Sequence, residues 1–191
     1  FGSAAIRAAA AAGKRRFGES YLQEALAKMS ELQDLALEWH FIGPLQSNKT
    51  RQVAINFDWV HSVDRLKIAQ RLNEARSGLP PLNICVQVNL GGEASKSGTT
   101  LAQLPDLAAA ISLLPNLRLR GLMSIPPPTH DFSGQRQPFQ QLREALEQLN
   151  RRGLALDTLS MGMSDDMEAA IAEGATLVRI GSAIFGTRQV V

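Results

Sequence analysis

Two short stretches near the carboxyl end carry the residue types that an anion site requires. One reads Leu159-Ser160-Met161-Gly162-Met163-Ser164-Asp165-Asp166-Met167, the other Val178-Arg179-Ile180-Gly181-Ser182-Ala183-Ile184-Phe185-Gly186. Each sets glycine and serine between an apolar run and a helix-forming run. Glycine lets backbone N–H groups approach an anion closely, a hydroxyl adds a donor, and a helix start leaves N–H groups unpaired. Ser164 and Ser182 also suit the N-cap position, worth about 1 kcal/mol each. Either cap alone is ordinary, whereas two on successive strand ends point to a bound phosphate. Arg179 adds to the pattern, because a cation between Val178 and Ile180 is costly to bury unpaired. Pointing inward, it needs an acceptor such as an aromatic ring nitrogen; pointing outward, solvent or a carboxylate satisfies it.

Polar groups end other apolar runs as well. Glu19 and Ser20 follow Phe17-Gly18, His40 lies in Trp39-His40-Phe41-Ile42-Gly43, Asn48 stands in the segment after it, and Met123 lies in Gly121-Leu122-Met123-Ser124-Ile125. A lone histidine in an apolar run reads first as a satisfied core or barrel-lining residue. No His, Cys, Asp and Glu set has metal-ligand spacing, and no Ser-His-Asp arrangement is legible. Asp165 and Asp166 are accounted for by the preference for acids in a helix's first turn.

The elements that must position these groups alternate in period between helix and strand. A helix over Ala4 to Ala12 ends at Gly13, and the first strand is expected over Arg15 to Glu19. Further strands are expected at Leu37 to Ile42, Trp59 to Val63, Leu82 to Leu90, Leu117 to Ile125, Leu156 to Met161 and Thr176 to Ile180. Helices are expected between them: Tyr21 to Leu35, Lys49 to Phe57, Arg65 to Arg76 capped by Asp64, Leu101 to Leu114, Gln135 to Arg152 and Asp165 to Glu173. A repeated βα unit implies a parallel sheet covered by helices. It closes as a barrel or stays open as a doubly wound sheet. The opening helix favours an α/β (β/α)8 TIM-type barrel with its first strand missing before residue 1, since it is what would follow that strand. In such barrels phosphate binds at the last two strand ends, where both loops lie.

Bulk properties set bounds on partners. The 191 residues are 45% hydrophobic and 20% charged, which fits a single domain over 1–191. A net charge of +2, with the basic residues scattered, gives no reason to invoke nucleic acid or an anionic membrane. The single cysteine, Cys85, cannot form an internal disulfide and reads as a small buried hydrophobe, so a reducing, cytoplasmic setting is expected. No apolar stretch approaches the length of a membrane span, and no signal peptide is legible.

Taken together the motifs resemble the YggS/PROSC family of pyridoxal phosphate homeostasis proteins. The residues that carry the resemblance are Phe17-Gly18-Glu19, His40-Phe41-Ile42-Gly43 with Leu45-Gln46-Ser47-Asn48-Lys49, Lys96-Ser97-Gly98, Gly121-Leu122-Met123, Ser160 through Met167, and Arg179-Ile180-Gly181 through Gly186. The resemblance implies a barrel similar to the N-terminal domain of alanine racemase, with pyridoxal 5′-phosphate as the cofactor. It implies that Ser160, Gly162, Met163, Ser164, Gly181 and Ser182 hold the phosphate. Arg179 would face the pyridine nitrogen, and Glu19, Ser20, His40, Asn48 and Met123 would line the pocket. An arginine at that nitrogen keeps it unprotonated and weakens the ring as an electron sink. The implied role is to carry or buffer the cofactor without a settled catalytic activity, as a monomer, with apo pyridoxal-phosphate enzymes as protein partners.

Two features depart from the family pattern. The family's Schiff-base lysine lies on the strand expected before Phe1, and Lys14, Lys49 and Lys96 do not sit in its motif; the family also tends to have asparagine where Ser20 stands. Two other readings use the same loops. A pyridoxal-phosphate-dependent amino-acid racemase needs a second base, and the only tyrosine, Tyr21, opens a helix. A barrel binding another phosphorylated metabolite needs the loops alone.

Overall fold

The computed structural model describes residues 1–91 and 97–186, so Lys96 lies outside the described residues. The chain alternates helix and strand: α1 (Ser3–Ala11), β1 (Arg16–Glu19), α2 (Leu22–Glu31), β2 (Glu38–Phe41), α3 (Thr50–Asn56), β3 (Trp59–Val63) and α4 (Leu66–Ala75). It continues through β4 (Leu82–Gln87), α5 (Leu104–Ser112), β5 (Leu117–Met123), α6 (Phe132–Arg151), β6 (Thr158–Ser160), α7 (Met167–Ala172) and α8 (Ser182–Phe185). The six strands pair in chain order, β1-β2-β3-β4-β5-β6, and every pairing is parallel. Sequential parallel order is how a βα barrel winds, and it rules out the reversal of strand order that a doubly wound sheet requires.

Among the described residues the sheet is an arc of six strands, not a closed ring of eight. The expected strand over Thr176 to Ile180 is reduced to one bridge, Ser160 to Leu177. Backbone bonds still hold it beside β6, with Met161 N donating to Leu177 O and Arg179 N to Gly162 O. A ladder cannot extend because β6 has only three residues and the chain turns away at Gly162, whose φ is +92°. Gly162 is also crowded: a Cβ there would lie 2.5 Å from the Ala170 side chain. A left-handed turn at close quarters requires glycine.

Alternating side chains give the sheet two unlike faces. Phe41, Val60, Ile84, Leu122 and Leu159 face the helices and join Ala25, Ile68, Leu72, Ile111, Phe139 and Leu142 in one buried apolar cluster. The inner face carries His40, His61 and Ser160, with a small separate cluster of Trp59, Cys85 and Met123.

Several local expectations shift. Helix α6 begins at Phe132, not Gln135, because Asp131 caps it by accepting from Ser133 N and Gly134 N. Asp64 does not cap α4; its carboxylate pairs with the Arg65 guanidinium at 2.7 Å instead. Strand β4 stops at Gln87, and the longer run to Leu90 belongs to the loop that pairs Val88 with Thr99. Among the described residues no helix is long and apolar enough to cross a membrane.

Candidate functional site

At the carboxyl ends of the strands the two glycine–serine loops meet. Ser164 Oγ accepts from Ala183 N, in the first turn of α8, at 3.4 Å. Neither serine caps as the sequence suggests. Ser164 does not cap α7, which begins from Asp166; Asp166 Oδ1 accepts instead from Met163 N at 2.6 Å, closing the loop on itself. Ser182 is the first residue of α8, and Gly181 takes the cap position. The outcome is one continuous rim in which Gly162, Met163, Ser164, Gly181 and Ser182 stand together. All of these but Gly162 are at least partly exposed.

Beneath the rim lies Arg179. Its Nη1 donates to Ser160 Oγ at 2.8 Å and its Nη2 to Ser124 O at 2.8 Å. The guanidinium points to the inner face of the sheet, and among the described residues no carboxylate forms an ion pair with it. Burial lowers its pKa to about 10, with partial compensation from Asp166. It therefore keeps its charge at neutral pH and holds donor capacity toward whatever occupies the barrel mouth.

Ser160 links Arg179 to two histidines. His61 Nδ1 lies 2.7 Å from Ser160 Oγ, His61 Nε2 lies 2.8 Å from His40 Nδ1, and His40 Nε2 lies 2.8 Å from Glu38 Oε1. The rings are fixed by stacking: His40 lies over Trp59 at 5.4 Å with 13° between planes, and the Arg120 guanidinium sits 4.8 Å from the Trp59 ring. Burial holds the His61 imidazole well below its usual range, helped by the nearby His40 and Arg179. His40 is also lowered by burial, against the opposing pull of Glu38.

The remaining candidates separate. Met123 is fully buried beside Trp59 and Cys85 under the site. Glu19 turns the other way, into the space between β1 and α2, where both carboxylate oxygens accept from Lys28 Nζ at 2.8 and 2.9 Å. The sheet alternation decides this, since Phe17 and Glu19 share the buried outer side of β1. Ser20 is exposed, and its backbone presses on Gly43, where a Cβ would come 2.1 Å from Ser20 O. Asn48 is exposed in the loop before α3. A mainly apolar cavity of about 450 Å³ lies on the same face, lined by Ile42, Asn89, Pro127, Gln135, Met163 and Asp166 among others. It touches the rim through Met163 and Asp166 but does not include Arg179. Sequence reading missed His61, Glu38 and Arg120. The available signal was that His40 and His61 stand on neighbouring strands, two positions apart in register through the His40 to Trp59 pairing.

A sequentially wound parallel arc, with paired glycine–serine loops over an inward arginine at its last strand ends, defines a βα-barrel domain whose mouth gathers backbone N–H and hydroxyl donors. The family described as alanine racemase, N-terminal domain, matches residues 2–189, and the chain belongs to that family and, within it, to the pyridoxal phosphate homeostasis proteins. The pyridoxal phosphate homeostasis protein of Pseudomonas aeruginosa is 67% identical over 188 residues, spanning 98% of this chain and 80% of the relative. That of Escherichia coli K12 is 56% identical over 191 residues, 98% of this chain and 82% of the relative. PipY of Synechococcus elongatus, solved with PLP bound, superposes with a TM-score of 0.91 at 42% identity, covering 97% of this chain and 88% of PipY. An alanine racemase from Clostridium difficile shares the fold at a TM-score of 0.71 and 15% identity, over 92% of this chain and 46% of the racemase.

Proposed function

We propose that this protein binds pyridoxal 5′-phosphate at the rim formed by the Ser160–Ser164 loop and Gly181-Ser182, and serves intracellular vitamin B6 homeostasis by carrying or buffering the cofactor without catalysing a reaction of its own. The observation that carries the reading is Arg179, an inward guanidinium with no carboxylate partner among the described residues, set directly beneath two loops that meet through Ser164 and Ala183. The donor set suits a phosphorylated pyridine: N–H and hydroxyl groups at the rim for the phosphate, and a charged N–H donor below for a ring nitrogen that stays unprotonated. When bound, the cofactor supplies an aldehyde and an electron-accepting ring. Arg179 limits the second property, because a donor at the ring nitrogen leaves no proton there to draw electrons. In this reading Met123 and His40 lie buried beneath the bound ring, whereas Glu19 faces α2 and takes no part.

The finer architecture belongs to the same reading. The Leu177 segment and the outer edge of β1 are the two edges that an eighth strand would bridge in a closed eight-stranded barrel, and Phe1 stacks on Phe185 at 4.8 Å. A monomer in the cytoplasm, handing cofactor to apo enzymes, fits a rim left open to solvent. The test is titration with pyridoxal 5′-phosphate and with pyridoxal, followed by absorbance and tryptophan fluorescence. Saturable binding that needs the phosphate is expected, weakened at least tenfold by Arg179→Ala, and with an altered cofactor spectrum in Arg179→Glu. Equal binding of pyridoxal, or no binding of either, overturns the assignment. Robust racemisation of common amino acids would replace the non-catalytic reading.

A further inference from the structure

Inside the sheet a chain of hydrogen bonds runs from Arg179 to the edge of the barrel, and its direction is fixed by its two ends. Arginine only donates, so Ser160 Oγ must accept from Arg179 Nη1. A serine oxygen can accept twice, so the far end decides the rest. The Glu38 carboxylate only accepts, which puts the proton of a neutral His40 on Nε2, 2.8 Å from Glu38 Oε1. His40 Nδ1 is left to accept from His61 Nε2 at 2.8 Å. In a neutral His61 the Nδ1, 2.7 Å from Ser160 Oγ, is then bare and takes the Ser160 hydroxyl proton. Along the chain each donor meets one acceptor. The chain starts on a cation and ends on a carboxylate, with two neutral imidazoles and a hydroxyl between them.

We propose that Glu38, His40 and His61 are positioning residues: acting through Ser160, they orient Arg179 and set its strength as a donor toward the ring nitrogen of the bound cofactor. The inference rests on the cofactor reading given above. Three strands and the segment beside the last of them contribute, since Glu38 and His40 lie on β2, His61 on β3, Ser160 on β6 and Arg179 beside β6. Ser160 and His61 are both completely buried, and an apolar filling of that space would avoid the cost of desolvating polar groups. What the polar chain provides instead is a counter-charge held at a distance. A carboxylate placed directly on Arg179 would occupy its N–H groups and compete with the ligand. Glu38, three hydrogen bonds further on from Ser160, polarises the chain toward itself and leaves the ligand side of the guanidinium free. The Arg120–Trp59–His40 stack holds the middle of the chain in plane.

The first test needs no cofactor. Long-range ¹⁵N–¹H correlation spectra of the imidazoles, taken on the uniformly labelled protein at pH 7.5, are expected to show His40 and His61 both as neutral Nε2–H tautomers, with exposed His130 as the averaged reference. An Nδ1–H tautomer or an imidazolium at either ring overturns the proposal. The second test perturbs only the far end, at half-exposed Glu38. Glu38→Leu removes the terminal acceptor and is expected to release the tautomer of His61, a ring it never touches; Glu38→Gln, whose carbonyl still accepts from His40, is expected to restore it. A His61 signal indifferent to Glu38→Leu overturns the relay. The third test follows binding of pyridoxine 5′-phosphate, which lacks the aldehyde and reports phosphate and ring contacts alone. His61→Phe, which cannot accept from Ser160, is expected to weaken it about tenfold, the worth of one charge-assisted hydrogen bond. Glu38→Leu is expected to weaken it less, and Glu38→Gln to stay within about twofold of the parent. Unchanged binding in both His61→Phe and Glu38→Leu means the relay does not act on Arg179. A parent protein that binds neither pyridoxine 5′-phosphate nor pyridoxal 5′-phosphate overturns the cofactor reading itself, whatever tautomers the rings adopt.

Discussion

The two faces of the sheet are made of different materials. The outer face meets the helices through aliphatic and aromatic side chains that form one continuous buried cluster. The inner face is polar along its middle, with His40, His61, Ser160 and Arg179 joined in series and Trp59, Cys85 and Met123 as a small apolar cluster beside them. The outer face gains stability from area removed from water, which needs no direction. The inner face holds groups that are costly to bury and are tolerable only while each keeps its partner. Stability therefore resides mainly on one side of six strands, and chemistry on the other.

The comparison breaks most visibly if the outer face is cut. Phe139, on α6, is fully buried in the outer cluster. Phe139→Ala is expected to cost about 3–5 kcal/mol in urea unfolding, with ligand affinity unchanged in the molecules that remain folded. A smaller effect is expected at the hinge between the faces. Gly162→Ala meets a positive φ and the Ala170 side chain, and should cost about 1–3 kcal/mol while also lowering affinity for pyridoxal 5′-phosphate, because the loop proposed to hold the phosphate turns there. Loss of stability without loss of affinity would place the loop's geometry outside the site.

Acid sharpens the contrast further. His61 and His40 are held below the usual imidazole value of 6.5 in the folded state, so the unfolded chain binds more protons as pH falls. The stability that their neutral burial leaves intact is fully present above about 6.5 and is lost as pH drops from there toward the folded values. The groups facing them are Glu38, Arg16 and Asp58 around His40, and His40, Ser160 and Arg179 around His61. Urea midpoints measured from pH 8 to pH 5 should therefore decline, and the decline should shrink in His61→Phe. A flat profile would mean the rings are not held neutral. The smallest effect concerns Cys85. Burial pushes its thiol up to about 12, so it should resist thiol reagents at pH 8 in the native state and react only on unfolding.

Much of the fold could be read without coordinates. The alternation of helical and strand periods depends on which side of each element is apolar, and burial in a covered parallel sheet imposes that locally. Strand β3 over Trp59–Val63 has the expected bounds, and Gly13, at φ +90°, closes α1 as its position suggests. The glycine–serine loops were legible for a similar reason: a tight turn into a helix start demands particular residue types in short order. Strand ends and caps were harder, because Asp131 and Asp166 are decided by which side-chain oxygen reaches which N–H, and several residues nearby are equally suitable by type.

By itself, then, the sequence determined the βα order, the parallel sheet, the outer apolar cluster and the two loops, all of which follow from local period and composition. Only the tertiary structure decided the rest. It turned Glu19 outward to Lys28, because one residue of strand register chooses the face. It reduced the Thr176 to Ile180 strand to a single bridge, because a ladder needs a partner of equal length. It also strung Glu38, His40, His61, Ser160 and Arg179 into one line, because residues up to 141 positions apart become neighbours only when parallel strands set them side by side.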